Sequence, residues 1–343
     1  MKTKKVFLFL LLIILLIGVW CAWNIFGPVI HNPQKKFLYI KTGSNYQDVK
    51  DSLQENEIIT GTFWFDKMAK YVDYPQTVKA GKYKITDGMS LYHLIKMLRS
   101  GKQTPVNLVI TKLRTKEDLA KRIGANFEVD SAAVIHFLSN QDTLHQFDVD
   151  TNTVMTDVIP NTYTYTWNTP IEKIFKKLYE ESQRFWTPER IQKAEQLKLS
   201  PKEVYTLASI VEEETNKQDD KGKIASVYIN RLRKGMKLAA DPTIKFAMKD
   251  FGLKRIYHKY LEFISPYNTY LNTGLPPGPI CTPSIKTIDA VLDAPETDYL
   301  FFVARSDFSG YSDFASDYGQ HQIYAKAYQQ ALDSLIKSKQ QNQ

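Results

Sequence analysis

The chain has 343 residues, 43% of them hydrophobic and 24% charged, so its length allows two or more domains and its composition excludes a disordered protein. Its 45 lysines and arginines exceed its 37 aspartates and glutamates, and the net charge of +8 favours anionic surfaces, although no basic run with interleaved aromatic residues indicates nucleic acid. Two distant cysteines, Cys21 and Cys281, and histidines without ligand spacing indicate no disulfide framework, metal site or cofactor.

The N-terminus has the pattern of a membrane span. Val6 to Trp23 is a run of 18 uncharged residues, which at about 1.5 Å per residue crosses most of a hydrocarbon core of roughly 30 Å. We predict a transmembrane anchor at 6–26 after a cytoplasmic tail at 1–5, whose three lysines stay inside by the positive-inside rule. A cleaved signal peptide is disfavoured because the run is long and no small-residue cleavage site follows it.

Strand and helix patterns alternate after a short polar linker at 31–36. They predict a compact α/β module at 36–104 in the order strand, helix, helix, strand, helix. The predicted strands are Phe37–Lys41 and Ala80–Ile85, and the predicted helices are Tyr46–Glu55, Thr62–Tyr71 and Leu91–Leu98. Ser90 is placed to cap the last helix and Gly101 to end it.

A bridging segment at 105–156 should lead into a C-terminal domain at 157–338. In the bridge, helices are predicted to open at Thr115 or Lys116 and at Ser131. In the domain, helices are predicted at Ile171–Phe185, Pro188–Leu197 and Lys221–Gly235, together with a helix that carries three consecutive glutamates. The tail after Ile336, rich in lysine and glutamine, is predicted to be disordered.

The three glutamates, Glu212, Glu213 and Glu214, end an otherwise apolar helix. At about 100° per residue, Glu214 projects into the apolar stripe, Glu212 lies at its edge and Glu213 points towards solvent. Because burial penalises an ionised carboxylate, Glu214 has the environment expected of a protonated general acid. On periodicity alone, a solvated charge run explains the pattern as well.

Further motifs follow this helix in a fixed order. They are Lys223–Leu232, Gly235–Leu238, Asp241–Thr243, Tyr267–Tyr270 and Gly274–Ile280. In this order the segments resemble the catalytic domain of the endolytic murein transglycosylases of bacterial inner membranes, the MltG or YceG-like family. The resemblance covers most of the chain and is densest from Tyr205 to Pro283. It implies an α+β protein with an N-terminal transmembrane helix, a LysM-like module at 36–104 and a helix-rich mixed catalytic domain with a small sheet.

The resemblance also implies roles for single residues. Glu214 matches the catalytic glutamate, the second in the family's Glu-x-Glu-Thr motif. Substrate-binding or supporting roles fall on Glu212, Asp241, Tyr267, Asn268, Thr269, Tyr270 and His321. Asp241 could instead only set a turn before Pro242, and tyrosine-rich loops also often simply pack.

The chain departs from the family pattern at 156–163. Relatives usually read Glu-Gly-x-Leu-x-Pro-Asp-Thr-Tyr, whereas this chain has Thr156-Asp157-Val158-Ile159-Pro160-Asn161-Thr162-Tyr163. The Glu-Gly pair and one aspartate are missing, so no acidic role is carried over to those positions.

The activity implied by the resemblance is endolytic cleavage between N-acetylmuramic acid (MurNAc) and N-acetylglucosamine (GlcNAc) in nascent glycan strands. Cleavage would leave 1,6-anhydroMurNAc ends and terminate strand elongation. One acid is enough, since a single glutamate can protonate the leaving oxygen and then remove a proton from the C6 hydroxyl. The implied partners are peptidoglycan, the inner membrane and the cell-wall synthesis machinery, with the catalytic domain on the periplasmic, extracytoplasmic side of a single-pass anchor.

Two other functions stay open at this point. A hydrolytic muramidase would use Asp241 as its base and leave ordinary reducing ends. A non-catalytic, membrane-tethered peptidoglycan-binding protein would tolerate the loss of Glu214.

Overall fold

The computed structural model describes residues 2–30, 36–253 and 255–341. These residues form helices and small antiparallel sheets in two compact units. The first unit contains residues up to 108 together with 124–130 and 164–170, and the second contains 109–123, 131–163 and 171 onwards. The predicted mixed, helix-rich architecture is therefore confirmed.

The first unit begins with helix α1, Lys2–Phe26. Its segment 4–26 is long and apolar enough to cross a membrane, in agreement with the span predicted from the sequence. The chain then enters the core of the unit almost at once, because Ile30 is only 1% exposed and packs with the buried residues of the module. Of the predicted linker, His31–Lys35 lies outside the described residues.

The module has the predicted element order. Its elements are β1 (Phe37–Ile40), α2 (Tyr46–Glu55), α3 (Phe63–Tyr71), β2 (Gly81–Lys84) and α4 (Leu91–Ser100). β1 and β2 pair antiparallel, with Phe37 opposite Lys84. Ser90 caps α4 by accepting a hydrogen bond from the His93 amide, and Gly101 ends it at a φ of 71°. These cap positions agree with the prediction, whereas the likeness to LysM stays a prediction.

The chain passes between the two units along β3 (Val106–Val109) and β4 (Thr162–Tyr165), which pair with each other. Between them lie α5 (Lys116–Gly124), α6 (Ser131–Ser139) and α7 (Gln141–His145). The helices predicted to open near Lys116 and at Ser131 are confirmed.

The second unit holds the remaining elements. They are α8 (Ile171–Phe185), α9 (Pro188–Leu197), α10 (Pro201–Glu214), α11 (Gln218–Arg233), α12 (Asp241–Ala247), α13 (His258–Leu261), α14 (Ile285–Leu292), β5 (Phe301–Ala304), β6 (Ser312–Ala315) and α15 (Tyr318–Gln341). α10 lies at the centre of the core, where it packs against α11 and α14. Its N-terminus is fixed by Pro201 and by a capping box between Ser200 and Glu203.

The prediction of a disordered tail after Ile336 is wrong, because α15 continues to Gln341. Lysine and glutamine are good helix formers, so a polar tail that continues an established helix can remain helical without a buried face.

The segment that departs from the family pattern contains a buried acid, Asp157. It is 4% exposed, and its Oδ2 atom has no hydrogen-bond partner among the residues that the structure describes. Burial raises the pKa of Asp157 to about 7, against the opposing effects of the Lys202 charge and the Ser182 hydroxyl.

The wild type should become less stable as the pH rises, and we expect Asp157→Asn to abolish this dependence on pH. A raised carboxyl pKa means that the unfolded chain releases its proton first, so the free energy of unfolding falls between about pH 4 and pH 7. The variant should therefore exceed the wild type by about 2–4 kcal/mol at pH 8 and by much less at pH 4. Urea unfolding at both pH values measures this, with the exposed Asp142→Asn as control. Parallel pH dependence of wild type and Asp157→Asn would contradict the expectation.

Candidate active site

The helical pattern predicted that Glu213 points to solvent. In the structure Glu213 forms ion pairs instead. Its Oε1 lies 2.6 Å from the Lys112 Nζ and its Oε2 lies 3.4 Å from the Arg114 Nη2, and only 16% of its side chain is exposed. The prediction was wrong because both cations come from the segment before α5, about a hundred residues earlier. The two cations therefore balance the charge of the Glu213 carboxylate, and its role is structural.

Glu212 is also paired, and it joins three helices. Its Oε2 lies 2.9 Å from the Lys221 Nζ of α11 and accepts hydrogen bonds from Ser284 and Thr287 at the start of α14. Burial alone would raise the pKa of Glu212, but the Thr287 hydroxyl and the Lys221 ammonium hold it below its usual value. Glu212 is thus an ionised group that fixes the end of α10 against its neighbours.

Glu214 differs from both, because it has no ion-pair partner among residues 2–30, 36–253 and 255–341. Its Oε1 accepts a 2.6 Å hydrogen bond from the Tyr228 hydroxyl. Desolvation raises the pKa of Glu214 to about 7, opposed by the Tyr228 hydrogen bond and assisted by the charge of Asp241. It is also the last residue of α10, where the helix dipole disfavours a negative charge. Residue 214 as a whole remains partly exposed, so it lies at the edge of the core.

Tyr228, which the sequence analysis included only within the Lys223–Leu232 motif, is therefore a candidate site residue. It lies on α11, is 1% exposed and packs edge-on against Phe302 at a ring-centroid distance of 5.9 Å. Its position in the Lys223–Leu232 motif was a signal, but the helical pattern cannot separate a packing tyrosine from one that donates to an acid.

A second pair of a carboxylate and a tyrosine faces the same site. The Tyr270 hydroxyl donates a 2.6 Å hydrogen bond to the Oδ1 of Asp241, the exposed first residue of α12. Asp241 contributes to the raised pKa of Glu214, and Glu214 in turn contributes to the raised pKa of Tyr270. α12 packs against α10, so Asp241 and its partner Tyr270 lie in the same part of the second unit as Glu214.

Arg231, like Lys245, places a positive charge near Glu214, and neither residue was predicted to belong to the site. The Arg231 Nε donates to the Leu300 carbonyl at 2.7 Å and its Nη1 to the Leu238 carbonyl at 2.6 Å. Its charge lowers the pKa of Glu214 without forming an ion pair with it. Arg231 lies three residues after Tyr228, so one turn of α11 carries both groups.

The other residues of the 267–270 loop support Tyr270. Asn268 and Thr269 are 0% and 1% exposed. Asn268 accepts from the Tyr270 amide at 2.8 Å and donates to the backbone carbonyls of Leu261 and Phe263. Thr269 accepts from the Ala240 amide at 3.0 Å beside Asp241. Of the two roles that the resemblance left open, substrate binding and support, their burial favours support.

Tyr267 packs on Phe246, with ring centroids 4.7 Å apart. Next to it, a side chain on Gly278 would come within 2.1 Å of the Asn152 carbonyl, so only glycine fits there. The Gly274–Gly278 segment therefore passes close to other backbone, as its glycines suggested.

His321 is grouped with Arg231, since both contact the Phe301 ring, and not with Glu214. Its ring stacks on Phe301 at 5.2 Å, and the Arg231 guanidinium lies 5.3 Å from the same Phe301 ring. Burial and the Arg231 charge lower the pKa of His321. Its Nδ1 has no hydrogen-bond partner in the described part of the chain.

Together these groups have the chemistry that proton transfer requires. They are one acid with a pKa near neutrality, a tyrosine that stabilises its carboxylate form, and an exposed second carboxylate. Within residues 2–30, 36–253 and 255–341, no group of three His, Cys, Asp or Glu side chains is arranged to hold a metal ion.

Comparison with known proteins gives consistent matches. A sequence model of the YceG-like family matches residues 38–327. An endolytic murein transglycosylase of Bacillus subtilis is 32% identical over 289 residues, which are 79% of this chain and 79% of that protein. Another, from Streptococcus pneumoniae serotype 2, is 28% identical over 308 residues, and the match spans 56% of its longer chain.

A solved structure matches as well. The crystal structure of a YceG-like protein from Listeria monocytogenes covers 84% of this chain and 97% of its own, with a TM-score of 0.56 and 28% sequence identity.

Proposed function

The chain belongs to the YceG-like family, and from that premise we propose that it is a membrane-anchored peptidoglycan lytic transglycosylase that cleaves glycan strands internally. The observation that carries the proposal is the environment of Glu214. Among the residues that the structure describes, Glu214 is the one glutamate of the three without a cationic partner. Its pKa of about 7 keeps a large protonated fraction at neutral pH.

In the first step Glu214 acts as a general acid. Its proton moves to the oxygen that links C1 of MurNAc to GlcNAc, the bond from C1 to that oxygen breaks, and positive charge develops at C1. The GlcNAc part leaves with the new hydroxyl. The Glu214 carboxylate that remains is stabilised by the Tyr228 hydroxyl, which donates to the charged form.

In the second step the same carboxylate acts as a general base. It removes the proton of the C6 hydroxyl of the MurNAc residue, and the C6 oxygen bonds to C1 to form the 1,6-anhydro ring. Glu214 regains the proton that it donated, and no water is consumed. The acid is thereby ready for a second turnover.

The anchor sets the place of the reaction. α1 is long and apolar enough over 4–26 to cross a membrane, and lysines lie at its N-terminal end, so the residues after α1 lie on the extracytoplasmic side. Cleavage there acts on new strands beside the cell-wall synthesis machinery and terminates their elongation.

A hydrolytic muramidase is the second candidate, and the exposed Asp241 carboxylate is the observation that favours it. Asp241 faces Glu214 closely enough to raise its pKa, as a base that activates water would. Tyr270 donates a hydrogen bond to this carboxylate. For the hydrolytic reaction, one of the two carboxylate oxygens would have to be free of Tyr270 to bind the water.

The mass of the products distinguishes these functions. After incubation of the full chain with uncrosslinked nascent glycan, we expect mass spectrometry to find strands that end in 1,6-anhydroMurNAc, one water lighter than ordinary reducing ends. Reducing ends would favour the muramidase. Uncut glycan with a correctly folded protein would favour a non-catalytic binding protein.

We expect Tyr228→Phe to shift the alkaline limb of the kcat/KM profile to higher pH by about one unit. The reason is that the Tyr228 hydrogen bond stabilises the charged form of Glu214, so its loss raises the pKa of the acid. The phenylalanine ring keeps the packing against Phe302. Initial cleavage rates between pH 5 and pH 9 measure the shift, with the exposed Tyr257→Phe as control. An unmoved limb would show that Glu214 is not the titrating acid.

A further inference from the structure

The outer end of α1 packs against the module that follows it. The Trp20 ring meets the Trp64 ring of α3 edge-on at 5.3 Å, and the Phe26 ring lies 5.4 Å from the Tyr92 ring of α4. The backbone of Ile30 then hydrogen-bonds to Gly88 and Met89 of the module. The anchor and the module are therefore packed together as parts of one unit.

This packing sets the depth of α3 in the bilayer. Trp20 lies three residues before Trp23, the last residue of the apolar run, which is about 4.5 Å along the helix axis. When α1 spans the membrane, Trp20 and its partner Trp64 therefore lie at the boundary between hydrocarbon and headgroups. Tryptophan and tyrosine are enriched at that level.

The outward face of α3 has the composition of a helix in a membrane interface. Phe63 and Tyr71 are 62% and 86% exposed, and Lys67 and Lys70 are exposed between them. Positions 63, 67, 70 and 71 fall on one side of the helix. Exposed aromatic rings interleaved with lysines suit a surface of lipid headgroups.

A cavity of about 500 Å³ lies between α3 and α4 on the same unit. Its apolar wall includes Met68, Val72 and Ile95, and its basic residues are Lys79, Lys96 and Arg99. In the described part of the chain none of these three cations forms an ion pair with a carboxylate. Lys79 donates only to the Ser100 carbonyl, and Lys96 lies over the Tyr92 ring. The cavity thus combines an apolar wall with unneutralised positive charge.

We propose that this face, defined by Phe63, Tyr71 and the cavity with Lys79, Lys96 and Arg99, docks on the outer surface of the membrane. The cavity holds the phosphate headgroup of an anionic phospholipid, and the two exposed rings enter the interface beside it. The inference rests on the membrane anchorage proposed above. It assigns to the module a lipid-binding role that is separate from glycan cleavage.

The test measures how accessible α3 is in bilayers of defined charge. The full chain carries Cys21→Ser and a reporter cysteine, Lys70→Cys, while the native Cys281 is buried. This reporter protein is placed in nanodiscs of phosphatidylcholine, with or without phosphatidylglycerol. The rate of maleimide labelling at position 70 is then measured. Because each basic residue contributes about fivefold to binding at an anionic surface, labelling should be at least about fivefold slower with phosphatidylglycerol.

Charge variants show whether the cavity is responsible. The triple variant Lys79→Gln, Lys96→Gln and Arg99→Gln should label at the same rate in both kinds of nanodisc. A matched control, Lys173→Gln, Lys326→Gln and Lys337→Gln, removes the same charge from exposed positions of the second unit and should keep the slowing. The proposal is overturned if the labelling rate does not depend on the anionic lipid. It is also overturned if the anionic lipid fails to slow the labelling of the control triple variant, as it should fail for the cavity triple variant.

Alkaline carbonate extraction of membranes separates this inference from the anchorage. A protein that is extracted has no transmembrane anchor, and both proposals fail together. A protein that resists extraction, but labels equally fast in anionic nanodiscs and in detergent micelles, overturns the docking proposal alone. The product assay for glycan cleavage is independent of either result.

Discussion

Replacing Glu214 by glutamine is expected to lower the rate of glycan cleavage by roughly 10²–10⁴-fold, the range typical of a lost general acid. Glutamine has the same shape and still accepts a hydrogen bond from Tyr228, so the fold should be kept. What it lacks is a proton to give to the leaving oxygen. Initial rates of cleavage of uncrosslinked glycan measure the effect.

Glu213→Gln is the matched control, because it makes the same chemical change one residue away on the same helix. Glu213 is held by Lys112 and Arg114, so its replacement should change the rate only a few-fold. Full activity of Glu214→Gln, or equal losses in the two variants, would remove Glu214 from the mechanism.

Lys221→Met is expected to destabilise the protein by about 3–5 kcal/mol, because it leaves the Glu212 carboxylate charged, largely buried and without its cation. Both side chains are mostly buried, with 7% and 16% exposure. The Thr287 hydroxyl, which bonds to both, would lose the Lys221 ammonium and keep its bonds to Glu212 and Ser284. Urea unfolding at pH 7 measures the loss.

The double variant with Glu212→Gln tests whether the loss comes from the pair. Removing both charges should recover part of the stability, since a neutral amide does not carry the desolvation cost of an unpaired carboxylate. The exposed Lys234→Met serves as control. A double variant no more stable than Lys221→Met would mean that the lysine stabilises α11 in some other way.

Local pattern was enough to predict the helices and the acid. α2, α8 and α9 have the predicted bounds, because caps, prolines and apolar spacing act within a few residues of each other. The same spacing placed Glu214 on the inner side of α10, where the structure gives it a buried partner.

The partners of the site residues were not predictable, because they come from distant parts of the chain. Tyr270 follows Asp241 by 29 residues, and Thr287 follows Glu212 by 75. Lys112 and Arg114 reach Glu213 from an earlier segment, which is why the helical pattern alone placed Glu213 in solvent. Periodicity gives the direction of a side chain from its helix, but it does not identify what the tertiary fold puts in front of it.

The short connection between α1 and the module has a consequence for selectivity. Only Gly27, Pro28 and Val29 separate the end of α1 from the buried Ile30, and Gly27 still hydrogen-bonds to Trp23. A module on a long flexible linker could reach old and new polymer through the whole thickness of the wall. In the anchored protein proposed above, three residues connect the module to the membrane helix, so the module meets only those strands that lie close to the membrane, whatever their chemistry.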